Sequence, residues 1–239
     1  DTKHFENILF RDQPEFLTGF RDYFNWMWIQ AVPLSGFPFA VRNRQASDDI
    51  EPTIAFKGKN WTSFSFSPKG GTEELVIKAI GRCKKSLDIA MFSFFSEDIA
   101  RAVVRAKKRG VAVRIVLDRG NARNIIRAKG IKGTGVDRNA AKRLLRENGI
   151  DLKFSYGQDG PDGVGILHHK FALFDGEMLE TGSFNYSENA DNNNYENAIF
   201  STDAEEVRAF TREFEFLYGQ EEGPSFSDGL TAEAAALVD

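Results

Sequence analysis

The sequence predicts an α/β protein with a mixed, largely parallel sheet flanked by helices. Three observations carry this. Strand-like apolar runs alternate with stretches of helical spacing from Thr72 to Phe154. Two of the helical stretches stop at a glycine, Gly110 and Gly149, as helix ends often do. And 239 residues, 41% of them hydrophobic and 28% charged, suffice for a sizeable core in a globular domain.

The elements follow in order. Thr72 to Lys84 places Leu75, Val76, Ala79 and Ile80 on one helical stripe. Ser86 to Phe92 (SLDIAMF) reads as a buried strand. Glu97 to Arg109 is a helix with Ile99, Val103 and Ala106 on one face, and Val111 to Leu117 alternates toward a second strand. A helix over Asn139 to Asn148 and a strand over Asp151 to Phe154 complete an alternation that implies crossovers and parallel strands. The texture then changes. Leu167 to Phe174, Met178 to Thr181 and Asn194 to Phe200 are closely spaced strands, and Ala204 to Tyr218 is a closing helix with Val207, Phe210, Phe214 and Leu217 inward. From Gly219 on, the composition is that of a loosely attached tail, 219–239.

Composition narrows the classes. No run approaches the roughly 18 apolar residues of a membrane-spanning helix. The lone Cys83 excludes an intramolecular disulfide and a cysteine-based metal site, and it fits a reducing compartment. A soluble, cytoplasmic protein is expected. Because the chain opens at Asp1 rather than Met, a processed chain or a piece of a longer one is expected, and any upstream address is not readable. The net charge is −4, yet Arg101 to Arg146 holds fifteen Lys/Arg against only Asp118 and Asp137. Such a block suits a phosphate-bearing partner, either nucleic acid or anionic lipid headgroups, if it is not simply a set of solvated helix faces.

The two ends of the chain resemble each other. HFENILFRDQPEFLTGFRDYFNWMW, from His4, and YENAIFSTDAEEVRAFTREFEFLYG, from Tyr195, share an aromatic-Glu-Asn start, an apolar strand ending in Phe, an acidic turn and an aromatic-rich helix. Residues 1–30 are therefore expected to be the strand and helix that close an upstream repeat. Residues 31–65, with Pro33, Gly36, Pro38 and Pro52, would be the linker, and 66–218 the main domain. The aromatic run from Phe20 to Trp28 suits either the repeat junction or a lipid interface.

The chemistry concentrates in Gly165 to Ser187, GILHHKFALFDGEMLETGSFNYS. On a strand, His168 and Lys170 point to one face and His169 to the other, where a packing role is expected. An imidazole beside an ammonium suits a phosphate: the ammonium neutralises oxygens while the imidazole attacks phosphorus. Ser183 and Asn185 can donate to the same oxygens, and Gly182 would let the backbone approach. Phe92, Phe94 and Phe95 are either stacking faces for single-stranded nucleic acid or core residues. Asp118, at a strand end, is expected to cap the following turn, and His4 to be ordinary. Lysine and amide donors handle the phosphate charge, so neither metal nor cofactor is expected.

His168-x-Lys170-x4-Asp175 followed by Gly182-Ser183-x-Asn185 resembles the phospholipase D superfamily. The lead-in from Ser65 to Asp118 is similar to that family's opening β-α-β-α-β segment, and the resemblance runs from Phe66 to about Tyr218. It implies a phosphodiesterase with His168 as nucleophile or general acid, working by hydrolysis or transfer; the Arg101 to Arg146 block puts nucleic acid ahead of phospholipid as the expected substrate. It also implies that Lys170 and Asn185 bind phosphate with help from Ser183, that Asp175 supports the loop, and that Glu196 receives the histidine Nδ1 proton. The family site needs two motif copies, and this chain carries one. The second is expected from an upstream copy, with Glu6 orienting its histidine, or from a homodimer partner. An inactive binding module is disfavoured by the intact motif set.

Overall fold

The computed structural model describes residues 6–31, 53–68, 70–120, 140–155, 157 and 165–219. Among these, the elements in chain order are α1 (Pro14–Gln30), β1 (Thr53–Phe56), β2 (Lys59–Thr62), β3 (Phe64–Ser67), α2 (Thr72–Arg82), β4 (Ser86–Met91), α3 (Glu97–Lys108), β5 (Ala112–Asp118), α4 (Ala140–Glu147), β6 (Asp151–Ser155), β7 (Lys170–Phe174), β8 (Met178–Gly182), α5 (Glu188–Asn192), β9 (Glu196–Ser201) and α6 (Ala204–Gly219). β1 and β2 form a hairpin. The other seven strands make one mixed sheet in the order β3-β9-β8-β7-β4-β5-β6.

The mixed sheet with flanking helices is as expected. Its parallel pairing is confined to β4-β5 and β5-β6, while the other four neighbour pairs are antiparallel. Connection length is the reason. α3 supplies the crossover that parallel neighbours require, whereas β7 and β8 are joined by only Asp175–Glu177. α3 is well specified locally. Ser96 Oγ accepts from Ile99 N at 3.1 Å, Glu97 and Asp98 occupy the first turn, and Arg105, Lys107 and Lys108 the last.

The alternating faces of the strands feed two layers. Ile89, Met91, Ile115, Leu117, Phe174 and Phe200 pack with Val76, Ile80, Ile99, Val103 and Leu145 of α2, α3 and α4. On the other face Ala90, Val116, Phe171, Leu173 and Leu179 meet Val207, Phe210, Phe214 and Leu217 of α6. Beside α6, α1 lies on the β3-β9 edge. Its Tyr23 ring stacks on Phe66 at 4.0 Å, and its hydroxyl donates to Ser67 O at 2.7 Å. A Cβ at Gly19 would stand 2.2 Å from the Phe64 ring, so the glycine permits this approach. No helix among the described residues is long and apolar enough to cross a membrane.

Two expected boundaries are corrected. Residues 53–65 are not linker: Phe56 and Trp61 of the β1-β2 hairpin are buried in the main core, and β3 is an edge strand paired with β9. Short aromatic strands between Gly/Pro clusters read as linker because what buries them, Phe174 against Phe56, Phe200 against Trp61 and β9 beside β3, lies over a hundred residues away. The strand expected from Leu167 begins instead at Lys170; ahead of it His169 O still accepts from Phe92 N, whereas the His168 carbonyl accepts from Lys170 Nζ at 2.7 Å. Of the expected linker, 32–52 lies outside the described residues, as do most of the tail (220–239) and the centre of the basic block (121–139).

Asp175 closes the β7-β8 turn with a φ of 57° and is itself buried. Its carboxylate accepts from the backbone N–H of Lys84, Lys85 and Ser86 at 2.7–3.0 Å and pairs with Lys57 Nζ at 2.8 Å. Burial, the largest influence, pushes its acidity down, but Lys57 and the three N–H donors together hold the carboxyl below its ordinary value. The folded value is depressed, so this stabilisation is present above the unfolded value of about 4 and is lost as pH falls through the folded one. Asp175→Asn is therefore expected to cost about 3 kcal/mol at pH 7. Urea denaturation of both proteins should show the difference shrinking toward pH 3; a constant difference would contradict the ionic account.

Candidate active site

The motif residues meet where β4 and β7 end. Lys170 opens β7 opposite Met91, and Phe92 N donates to His169 O at 2.8 Å, extending the pairing by one step. Asp118, at the end of β5, fixes the approach. Its Oδ1 accepts from Gly120 N at 2.7 Å, the expected turn cap, and its Oδ2 accepts from Leu167 N at 3.1 Å. That second bond clamps the backbone beside His168 and was not foreseen, since 49 positions separate the two residues. Burial, the largest influence, pushes the Asp118 carboxyl up from its ordinary value.

His168 is half-exposed, with its ring 4.8 Å from Phe92 in an edge-on contact. Its Nδ1 lies 3.0 Å from Glu6 Oε2. This corrects the expected partner: Glu196 Oε1 instead accepts from Asn194 Nδ2 at 3.0 Å. Glu6 reaches the histidine because the chain beside it is anchored on this domain. Asn7 Nδ2 donates to Thr181 Oγ1 at 2.9 Å, Asn7 Oδ1 sits 3.0 Å from His169 Nδ1, and Arg11 pairs with Glu206 at 2.6 Å. With Nδ1 donating to a carboxylate, Nε2 of His168 keeps its lone pair for attack.

Lys170 is buried, with Nζ 5.1 Å from the Phe92 ring centroid and no ion pair among the described residues. Burial pushes its ammonium down to about 8, while Glu6 and Glu196 pull the other way. A desolvated cation facing the histidine backbone is suited to an incoming anion. Ser183 Oγ accepts from Asn197 N at 3.0 Å and from Asn197 Nδ2 at 3.3 Å, which frees its own proton to be donated elsewhere. Asn185 lies next to it and is half-buried. A Cβ at Gly182 would stand 2.2 Å from Asn197 O, so the glycine serves the approach of β9 rather than of a ligand.

The other candidates divide. His169 is buried between Asn7 and Glu213, whose Oε1 is 3.1 Å from its Nε2, a packing position. Phe94 is fully buried core, whereas Phe92 and Phe95 are half-buried. Asp175 lies at the opposite end of β7 from Lys170. Much of the described basic block is engaged within the fold. Arg114 pairs with Asp88 and Glu215, Arg109 donates to Ile80 O and Cys83 O, Arg101 pairs with Glu97, and Lys142 is buried 3.8 Å over the Phe95 ring. Lys107 and Lys108 are exposed, but at the Asp175 end of the sheet.

Residues 76–218 match the family described as "Cardiolipin synthase, PLD-like domain". The human mitochondrial cardiolipin hydrolase is 35% identical over 145 residues, covering 61% of this chain and 50% of that protein. Phospholipase D of Rickettsia prowazekii is 28% identical over 152 residues, 63% of this chain and 64% of that one. The chain thus spans about half to two thirds of the length of the curated relatives it matches. Among solved structures, the phospholipase D family member Nuc of Salmonella typhimurium superposes with a TM-score of 0.55 at 32% identity, over 68% of this chain and 97% of Nuc. NucT of Helicobacter pylori follows with a TM-score of 0.52 at 25% identity, over 67% and 99%. A profile match over more than half of the sequence, with the His-x-Lys-x4-Asp and Gly-Ser-x-Asn residues in the folded part it covers, makes this chain a member of the phospholipase D superfamily.

Proposed function

We propose that this chain carries one half of a metal-independent phosphodiesterase that works through a phosphohistidine. The observation that carries the reading is His168, held at Nδ1 by Glu6 and set beside the buried Lys170. Lys170, Ser183 and Asn185 hold the non-bridging oxygens. His168 Nε2 attacks phosphorus, the bond to the leaving oxygen breaks, and a second acid protonates that oxygen. Water, or another alcohol, then breaks the P–N bond. The same histidine can serve instead as the acid when the second histidine attacks.

The second histidine belongs, in this reading, to an upstream motif-bearing domain whose closing segment is residues 6–30; of the strand and helix expected there, the helix forms as α1 and residues 6–13 make no strand. Aligning Glu6 with Glu196 pairs Ile8 and Phe10 with Ala198 and Phe200, and Leu17 and Phe24 with Val207 and Phe214. The four later residues are core. Their counterparts are 76%, 86%, 56% and 54% exposed. Of the positions that α6 buries, α1 therefore leaves Leu17 and Phe24 open, while Phe20 and Met27, the counterparts of Phe210 and Leu217, pack against the Phe64, Phe66 and Ile199 cluster at the β3-β9 edge; the open half is the surface offered to an upstream sheet. By the same equivalence, Glu196 is the acid that holds the second histidine. A homodimer is less well supported, because Glu6 already occupies the His168 nitrogen that a partner's Glu196 would need.

For the substrate we place nucleic acid first, because Phe92 stays half-exposed against His168 and offers a base a ring beside the phosphate site. The second reading, a phospholipid, is favoured by the relatives named cardiolipin hydrolase and phospholipase D.

In excess EDTA the chain alone is expected to run as a monomer and to turn over neither single-stranded DNA nor phosphatidylcholine/cardiolipin vesicles. Adding a second motif-bearing domain should give turnover, with DNA ahead of lipid. Loss of that turnover on chelation would refute metal independence, and preference for the vesicles would favour the second substrate reading. In the completed assembly, His168→Ala should abolish turnover, and Glu6→Gln should lower it about 10²-fold at unchanged fold. An active His168→Ala protein would remove the mechanism, and a fully active Glu6→Gln protein would remove the tautomer role.

A further inference from the structure

Glu180 has no part in the chemistry above, yet it lies fully buried in the core behind the phosphate loop. In the ladder it sits between Ala172 of β7 and Phe200 of β9, both apolar and in the same core layer. Its Oε2 accepts from the Tyr186 hydroxyl at 2.8 Å, and its Oε1 has no hydrogen-bond partner. An ionised carboxylate with a single donor in such a place would be costly. Burial pushes the carboxyl up to about 8, which keeps it neutral near pH 7. A buried acid at that cost calls for a role in what it holds.

What it holds is the loop. Ser183 to Tyr186 alternates: Phe184 and Tyr186 are fully buried, while Ser183 and Asn185 are half-buried between them. Tyr186 is also tied to the loop after β4 by three backbone bonds. Its N–H donates to Ser93 O at 3.1 Å, and its carbonyl accepts from Phe95 N at 2.6 Å and Ser96 N at 2.8 Å. The Phe94 ring packs edge-on against the Tyr186 ring at 5.4 Å. Asn185 is thus suspended between Phe184 and a tyrosine pinned at both its backbone and its hydroxyl. Its own Oδ1 is buried without a hydrogen-bond partner, so no local bond of that oxygen fixes the side chain.

We propose that Glu180 and Tyr186 form a buried positioning pair that sets the height and rotation of Ser183 and Asn185 for phosphate, resting on the phosphate-site reading above. They touch no substrate. They act through the loop, in which a displacement of about an ångström is enough to cost a binding group its hydrogen bond.

The test uses the full chain with inorganic phosphate as the probe, followed by NMR on the Ser183, Asn185 and His168 resonances. Tyr186→Phe keeps the ring and removes the hydroxyl. It should weaken phosphate binding about tenfold and shift the Asn185 amide signals in the free protein. Glu180→Gln keeps an acceptor and stays neutral, so it should bind phosphate within about twofold of the parent. Thermal melts identify any variant that has not folded, and Glu180→Leu, which removes the acceptor of the Tyr186 hydroxyl, is the reserve if Tyr186→Phe fails to fold: its Asn185 signals should then move away from the parent's, and unmoved signals would overturn the pair's role. Folded Tyr186→Phe protein with parental affinity and unmoved Asn185 signals would overturn the pair's role, leaving the phosphate site intact. A parent chain that binds no phosphate would overturn the site reading itself.

Discussion

The antiparallel ladder between β4 and β7 is the contact on which the rest depends. It joins the parallel half of the sheet, β4-β5-β6, to the antiparallel half, β7-β8-β9-β3. Its register sets both ends of the molecule. Leu87 opposite Phe174 brings the Asp175 turn onto the Lys84–Ser86 backbone. Met91 opposite Lys170 brings Phe92 under both His168 and Lys170. A slip of one residue would turn every side chain of β7 to the other face and move Lys170 into the α6 layer. The Asp175 cluster locks that register about one strand length from the chemistry.

At the working end the electrostatics are arranged around one buried ammonium. Lys170 is desolvated, and two carboxylates act on it, Glu6 and Glu196, each followed by an asparagine in the sequence. One comes from the segment ahead of the domain and one from β9. The cation feels both carboxylates while its Nζ donates to His168 O rather than to either acid. That arrangement keeps its charge for an anion rather than spending it on an internal pair.

Much of this was legible in the sequence. Leu75, Val76, Ala79 and Ile80 marked α2, the SLDIAMF run marked β4, and Gly110 and Gly149 marked the ends of α3 and α4, because these signals are local and periodic. The spacing of His168, Lys170, Ser183 and Asn185 was readable for the same reason. Of the strand and helix expected in the first thirty residues, the helix forms as α1 and residues 6–13 make no strand. The hairpin of Thr53–Thr62 was not readable, because short strands declare themselves only through partners and burial. The parallel share of the sheet was overestimated, because helices between the early strands signalled crossovers while the later, tightly spaced strands turned back on themselves.

The sequence by itself determined which groups are available: one imidazole-ammonium motif, two glutamates that each precede an asparagine, and a Gly-Ser-x-Asn turn with its donors. Only the tertiary structure decided which groups meet. Glu6 rather than Glu196 holds His168 across 162 positions, Asp118 clamps Leu167 across 49, and Arg114, Arg101 and Arg109 of the basic block are taken up by Asp88, Glu215, Glu97 and backbone carbonyls. The physical reason is one of range. Spacing along a strand or helix fixes the direction of a side chain relative to its neighbours, whereas a hydrogen bond between distant residues depends on how whole elements pack, and no local pattern encodes that.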